Sequence, residues 1–127
     1  MKQLYRSIAV VMCAVWVACS DSVSEAEQYR EEMKTNLLLL AQAEEQYFQQ
    51  NGSYTTDWQS IVVPTSVQVL LSVQYVKATG WGAEAAHTNS LDHCAVWFGS
   101  TEMSFQLRWS PINEGEPKCK PLPVGGK

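Results

Sequence analysis

The chain has 127 residues, 46% of them hydrophobic and 17% charged, which supplies apolar material for one core and too little length for two. Its formal net charge is −4, and Lys and Arg cluster nowhere along it. That pattern excludes nucleic acid as a partner and disfavours an anionic membrane surface, because phosphate binding needs a concentrated basic face.

Residues 1–19, MKQLYRSIAVVMCAVWVAC, combine a short basic start with an apolar run from Ile8 to Ala18. The run is shorter than the about 20 residues that a permanent transmembrane helix requires, and it fits the apolar region of a secretory signal. Removing Lys2 and Arg6 with that signal takes the charge from −4 to −6. Val17-Ala18-Cys19-Ser20 is similar to a bacterial lipobox, which makes Cys19 the expected lipidation site and a lipid anchor the expected attachment. Trp16 stands where that motif usually carries an aliphatic residue, and ordinary cleavage after Ser20 without lipid is the alternative. The expected organisation is a signal over residues 1–19 and one α+β domain over residues 20–127.

Ser24 to Asn51 predicts one long helix. Met33, Leu37, Leu40, Ala41, Ala43, Tyr47 and Phe48 recur at three- and four-residue steps and form an apolar stripe, with the helix glutamates assigned to its start and wet side. Ser22 with Glu25, or Ser24 with Glu27, suits a capping box, and Asn51-Gly52 suits a left-handed helix stop. Tyr54 and Trp58 are placed to pack over the helix end, and Asp57 to cap a short turn ahead of Pro64.

From Ser66 to Lys77 the apolar spacing changes to alternation, with Val67, Val69, Leu71, Val73 and Tyr75 on one face of a half-buried strand. Ala78-Thr79-Gly80 breaks the run, residues 81–88 pair back as a second strand, and 89–92 turn again. Cys94 to Phe98 carries no charge and reads as a central third strand, while Met103 to Trp109 alternates as a fourth. Four prolines and three glycines after residue 110 predict an irregular C-terminal tail. With Cys13 and Cys19 assigned to the signal, Cys94 and Cys119 remain to pair in an oxidising compartment. Their spacing with His87 and His93 matches no zinc site.

The segment KTNLLLLAQAEEQYFQQNGSYTTD, from Lys34 to Asp57, resembles the second half of the long helix of type IV pilins and type II secretion pseudopilins with the turn that follows it. The resemblance continues through Ala78 to Thr88 (ATGWGAEAAHT), through Cys94 to Gly99 (CAVWFG) and into Gly115 to Cys119 (GEPKC), covering roughly residues 34–119. It implies a helix packed on a three- to four-stranded antiparallel sheet, a disulfide-tied C-terminal loop, and a structural role. The N-terminal part departs from that family. No prepilin leader or apolar stem precedes the helix, whose start carries Glu25, Glu27, Arg30, Glu31, Glu32 and Lys34.

No catalytic constellation, phosphate loop or cofactor motif is evident. His87 and His93 lack convergent ligands in sequence, and most tryptophan area is expected in the core; Trp109 and Trp81 are the candidate binding residues. The expected function is a non-enzymatic, pilin-like protein of the cell envelope, exported and tethered through lipid at the outer membrane or held in the periplasm. Its expected partners are other envelope or pilus-type proteins. A small ligand-binding module on a pilin-like scaffold is the second expectation.

Overall fold

The structure, a computed structural model, describes residues 23–100 and 111–121. Helix α1 runs from Glu25 to Asn51 without interruption, 27 residues and about 40 Å long. Ser24 is its N-cap, with Oγ accepting from the Glu27 N–H at 3.3 Å. The Glu27 carboxylate turns to Arg30 Nη1 at 3.5 Å. Gly52 closes the helix at φ 71°, and its N–H donates to the Phe48 carbonyl. Both ends therefore stand where local chemistry sets them. After a turn, a single 3-10 turn spans Trp58–Ser60, and Asp57 occupies its cap position without a side-chain bond.

Among the described residues four strands follow: β1 Val69–Lys77, β2 Gly80–His87, β3 Asp92–Gly99 and β4 Lys118–Pro121. They form one antiparallel sheet in the order β1-β2-β3-β4. The chain is thus α+β, one long helix lying on one face of a four-stranded sheet. The inner face carries Val69, Leu71, Trp81, Ala83, Ala85, Cys94 and Val96, packed against Met33, Leu37 and Leu40 of α1. The small alanines of β2 let the helix approach the middle of the sheet. Each of the three helix side chains is wholly removed from water, which contributes roughly 2 kcal/mol apiece.

Cys94 and Cys119 face each other across β3 and β4 and are joined in a disulfide. This covalent clip fits an oxidising, exported environment. Among the described residues no helix is long and apolar enough to cross a membrane.

Three expectations are corrected. The tail is not irregular throughout, since Lys118–Pro121 pairs with β3 as the fourth strand. The turn before the strand is also bonded within itself: Glu116 accepts from Lys118 Nζ at 2.6 Å and from Asn113 Nδ2 at 2.7 Å, which hold its carboxyl below the usual range. The strand expected at Met103 to Trp109 lies outside the described residues, as do residues 1–19, Cys19 and Trp109.

Second, the alternation of β1 does not persist. The register shifts between Val73 and Tyr75, so that Val73 faces Ala83 and Tyr75 faces Gly82. Such a bulge swaps the faces beyond it. Val76 joins the core beneath α1, and Tyr75 packs on the opposite face with Ala95 and Trp97. Val67, assigned to the buried face, is 96% exposed ahead of the strand.

Third, the helix stripe is not purely apolar. Asn36 and Glu44 are as buried as the leucines beside them, so one glutamate lies in the interior and not on the wet side.

Candidate functional site

Two groups of side chains hold the helix to the rest of the chain, and a groove opens between them and the end of the sheet. The first group lies near the helix start. Arg30 Nε donates to Asp92 Oδ2 at 2.5 Å, joining α1 to the first residue of β3. His87, at the end of β2, has a side chain with no exposure and stacks on Tyr29 at 4.3 Å between ring centres. Its Nδ1 accepts from the Asn89 N–H at 3.1 Å, so the ring proton sits on Nε2 and is donated to Glu32 Oε2 at 3.1 Å. The ring at this strand end is thus hydrogen-bonded and buried, not solvated. His93 lies on the outer face, registered with Ala86 and Lys120.

The second group is made of polar helix residues left out of the expected apolar stripe. Asn36 Nδ2 donates to the Glu32 carbonyl at 2.8 Å and to Thr65 Oγ1 at 2.9 Å, while its Oδ1 accepts from the Thr65 N–H at 2.8 Å. All the polar atoms of the amide are thus used to fix the strap that leads into β1. Glu44 Oε2 accepts from the Thr55 N–H at 3.0 Å, whereas Oε1 is buried without a partner. Burial raises the pKa of this carboxyl, opposed by the Thr55 hydrogen bond. Spacing does place both on the buried stripe, Asn36 three residues after Met33 and Glu44 four after Leu40, and it is their polarity that hides them among the exposed positions.

The groove, about 610 Å³ in volume, lies beside the C-terminal half of α1 and is lined by Leu38, Ala41, Gln42, Glu45, Tyr54, Trp81, Phe98, Gly99, Glu114 and Gly115. Its size falls within the roughly 300 to 1,000 Å³ of ligand sites. Trp81 and Phe98 are cross-strand neighbours on the inner face and stack at 5.0 Å, forming the floor. Tyr54 stacks on Phe48 at 4.6 Å and forms a wall with the helix, and Leu38 stands 45% exposed above. The loop before β4 makes the far wall: the Gly115 N–H donates to the Trp97 carbonyl at 2.9 Å and Glu114 Oε1 accepts from the Gly99 N–H at 2.6 Å. Gly115 has φ 72°, and a Cβ there would stand 3.1 Å from the Phe98 ring, so glycine permits this close approach.

Trp81 of the two candidate binding residues is therefore placed in a groove, as its almost fully buried floor. Trp97 also has a fixed role, donating from Nε1 to the Pro111 carbonyl at 2.9 Å. Among the described residues no group of three or more His, Cys, Asp or Glu side chains could hold a metal ion. What the site offers is aromatic and aliphatic contact edged by carboxylates, a recognition chemistry.

No protein-family model matches this chain, and comparison with curated proteins gives no match.

Proposed function

We propose that this chain is a non-enzymatic, pilin-like protein of the cell envelope that works by contact with other proteins. The single observation that carries the reading is the clipped architecture: a 27-residue helix laid on one antiparallel sheet, with the trailing strand bonded to it through Cys94 and Cys119. That arrangement provides a rigid rod-and-sheet body whose accessible surfaces are suited to assembly or adhesion. Residues 1–19 act as a signal in this reading, Cys19 carries the lipid, and the domain stands at the outer membrane or in the periplasm. Nothing in this role requires a cofactor or nucleic acid.

The experiment is fractionation of sheared cell surfaces and envelopes, followed by sizing and electron microscopy with an antibody to the native protein. The protein is expected in high-mass envelope assemblies, and mass spectrometry of its mature N-terminus is expected to find an acylated Cys19. A monomer bound to a small molecule would overturn the assembly reading in favour of a ligand-binding module. That second reading is favoured by the groove itself, whose volume of about 610 Å³ falls within the range of ligand sites.

A further inference from the structure

Two features of the groove between α1 and the β2–β3 end are left unexplained by folding alone. The first is its apolar surface: Leu38, 45% exposed, lines the groove together with Phe98 and the almost wholly buried Trp81 that stacks on it. The second is its charge. Glu45 projects from the helix wall and Glu114 from the opposite loop, and among the described residues no Lys, Arg or His lines the space between them. Among the described residues each carboxylate has a neutral hydrogen-bond partner. Glu45 Oε1 accepts from Gln49 Nε2 at 3.3 Å, and Glu114 Oε1 accepts from the Gly99 N–H at 2.6 Å. Both acids line the same space as the Tyr54 phenol, whose pKa is raised by burial first and then by Glu45, Glu44 and Glu114.

We propose that this groove docks a short basic segment of a partner protein, with an Arg or Lys head between Glu45 and Glu114 and a neighbouring apolar side chain on Leu38, Trp81 and Phe98. Charge complementarity selects this occupant. An acidic rim strengthens a cation's attraction to the aromatic floor and opposes carboxylate or phosphate ligands. It also opposes a second copy of this chain, which carries a net charge of −4. Arg suits the site well because its planar head stacks on aromatic faces while donating to two carboxylates. The inference rests on the protein-contact reading above and adds the surface and the partner's chemistry.

The test uses the purified full chain with its disulfide intact and the peptide acetyl-Leu-Arg-Leu-Arg-Leu-amide, with a citrulline version that keeps the shape and removes the charge. Amide chemical shifts are expected to move at Leu38, Ala41, Gln42, Gly99 and Gly115. Affinity is expected to fall at least tenfold for the citrulline peptide and for the Glu45→Gln/Glu114→Gln variant. The glutamine at 114 retains an acceptor for Gly99. Leu38→Lys, at an exposed position, keeps the test decisive if the double variant does not fold, and should abolish binding. Leu91→Ser, in the exposed β2–β3 turn, should bind normally.

Equal binding of the citrulline peptide, shifts confined to another surface, or no binding at millimolar peptide would overturn the proposal. Concentration-dependent dimerisation that Leu38→Lys abolishes would also overturn it, by identifying a second copy as the occupant. Loss of the docking result with envelope assemblies still present would remove this inference alone. A peptide-binding protein found only as an unassembled monomer would instead remove the assembly reading.

Discussion

Arg30 and Asp92 are 62 residues apart and meet at 2.5 Å, Nε to Oδ2, where the helix crosses the start of β3. The same Arg30 presents its carbonyl oxygen 3.8 Å from both sulfurs of the disulfide. One helix residue thus lies against both the ionic and the covalent ties of the trailing half of the sheet.

Removing either partner of this ion pair should destabilise the protein, by an amount limited by solvent. Asp92 is only 11% exposed at its side chain, but Arg30 is 35% exposed and is shared with Glu27. A double-mutant cycle of Arg30→Ala and Asp92→Ala is expected to give a stabilising coupling in urea unfolding that weakens as salt is added. A coupling indistinguishable from zero would show that the contact is incidental.

The disulfide closes a span of 25 residues, and the chain-entropy account assigns it about 3 to 4 kcal/mol. Replacing Cys94 and Cys119 together by Ser should lower the unfolding free energy by that order. Hydrogen exchange adds a local readout. Lys118 to Lys120 should lose protection before β1 and β2, because β4 has four residues and, among the described strands, pairs with β3 alone.

Asn36→Ala should cost about 1 to 3 kcal/mol, more than a surface amide, since it leaves the Thr65 N–H without its buried partner, while the Glu32 carbonyl keeps its helical bond from the residue-36 N–H. Thr65→Val removes only the hydroxyl contact and should cost less. Thermal unfolding of the two variants measures the order, and the reverse order would refute this assignment of the hydrogen bonds.

Glu44 makes stability depend on pH in the direction opposite to a salt-bridged carboxylate. Its folded pKa is raised, so the folded protein keeps this proton to higher pH than the unfolded chain does. The contribution is complete below the ordinary carboxylate pKa and is lost as pH rises through the raised folded value. Glu44→Gln removes the titration while retaining an oxygen for Thr55. The variant's stability relative to the native protein should therefore increase between about pH 4 and about pH 7. Urea unfolding at both pH values checks this, and a relative stability that stays constant or declines would contradict it.

Features governed by neighbours in sequence could be read directly from the chain. Ser24 and Gly52 delimit α1 because capping needs only a hydroxyl at one end and a left-handed residue at the other. The alternation through Val69, Leu71 and Val73 located β1, and the uncharged run at Cys94 located an interior strand, because side-chain period follows backbone geometry. The cysteine count also anticipated a bond that the fold then formed.

Tertiary structure decided what depends on residues arriving from elsewhere. A register shift after Val73 exchanged the faces of Tyr75 and Val76, an outcome set by pairing with Ala83 and Gly82. Asn36 and Glu44 became interior because Thr65 and Thr55 supply hydrogen bonds there, and Lys118 to Pro121 became a strand because β3 offered a free edge. The groove needs Leu38, Trp81 and Glu114 from three distant parts of the chain. Local pattern fixes which way a segment turns and repeats, whereas burial and charge convergence belong to surfaces that exist only after those segments have packed.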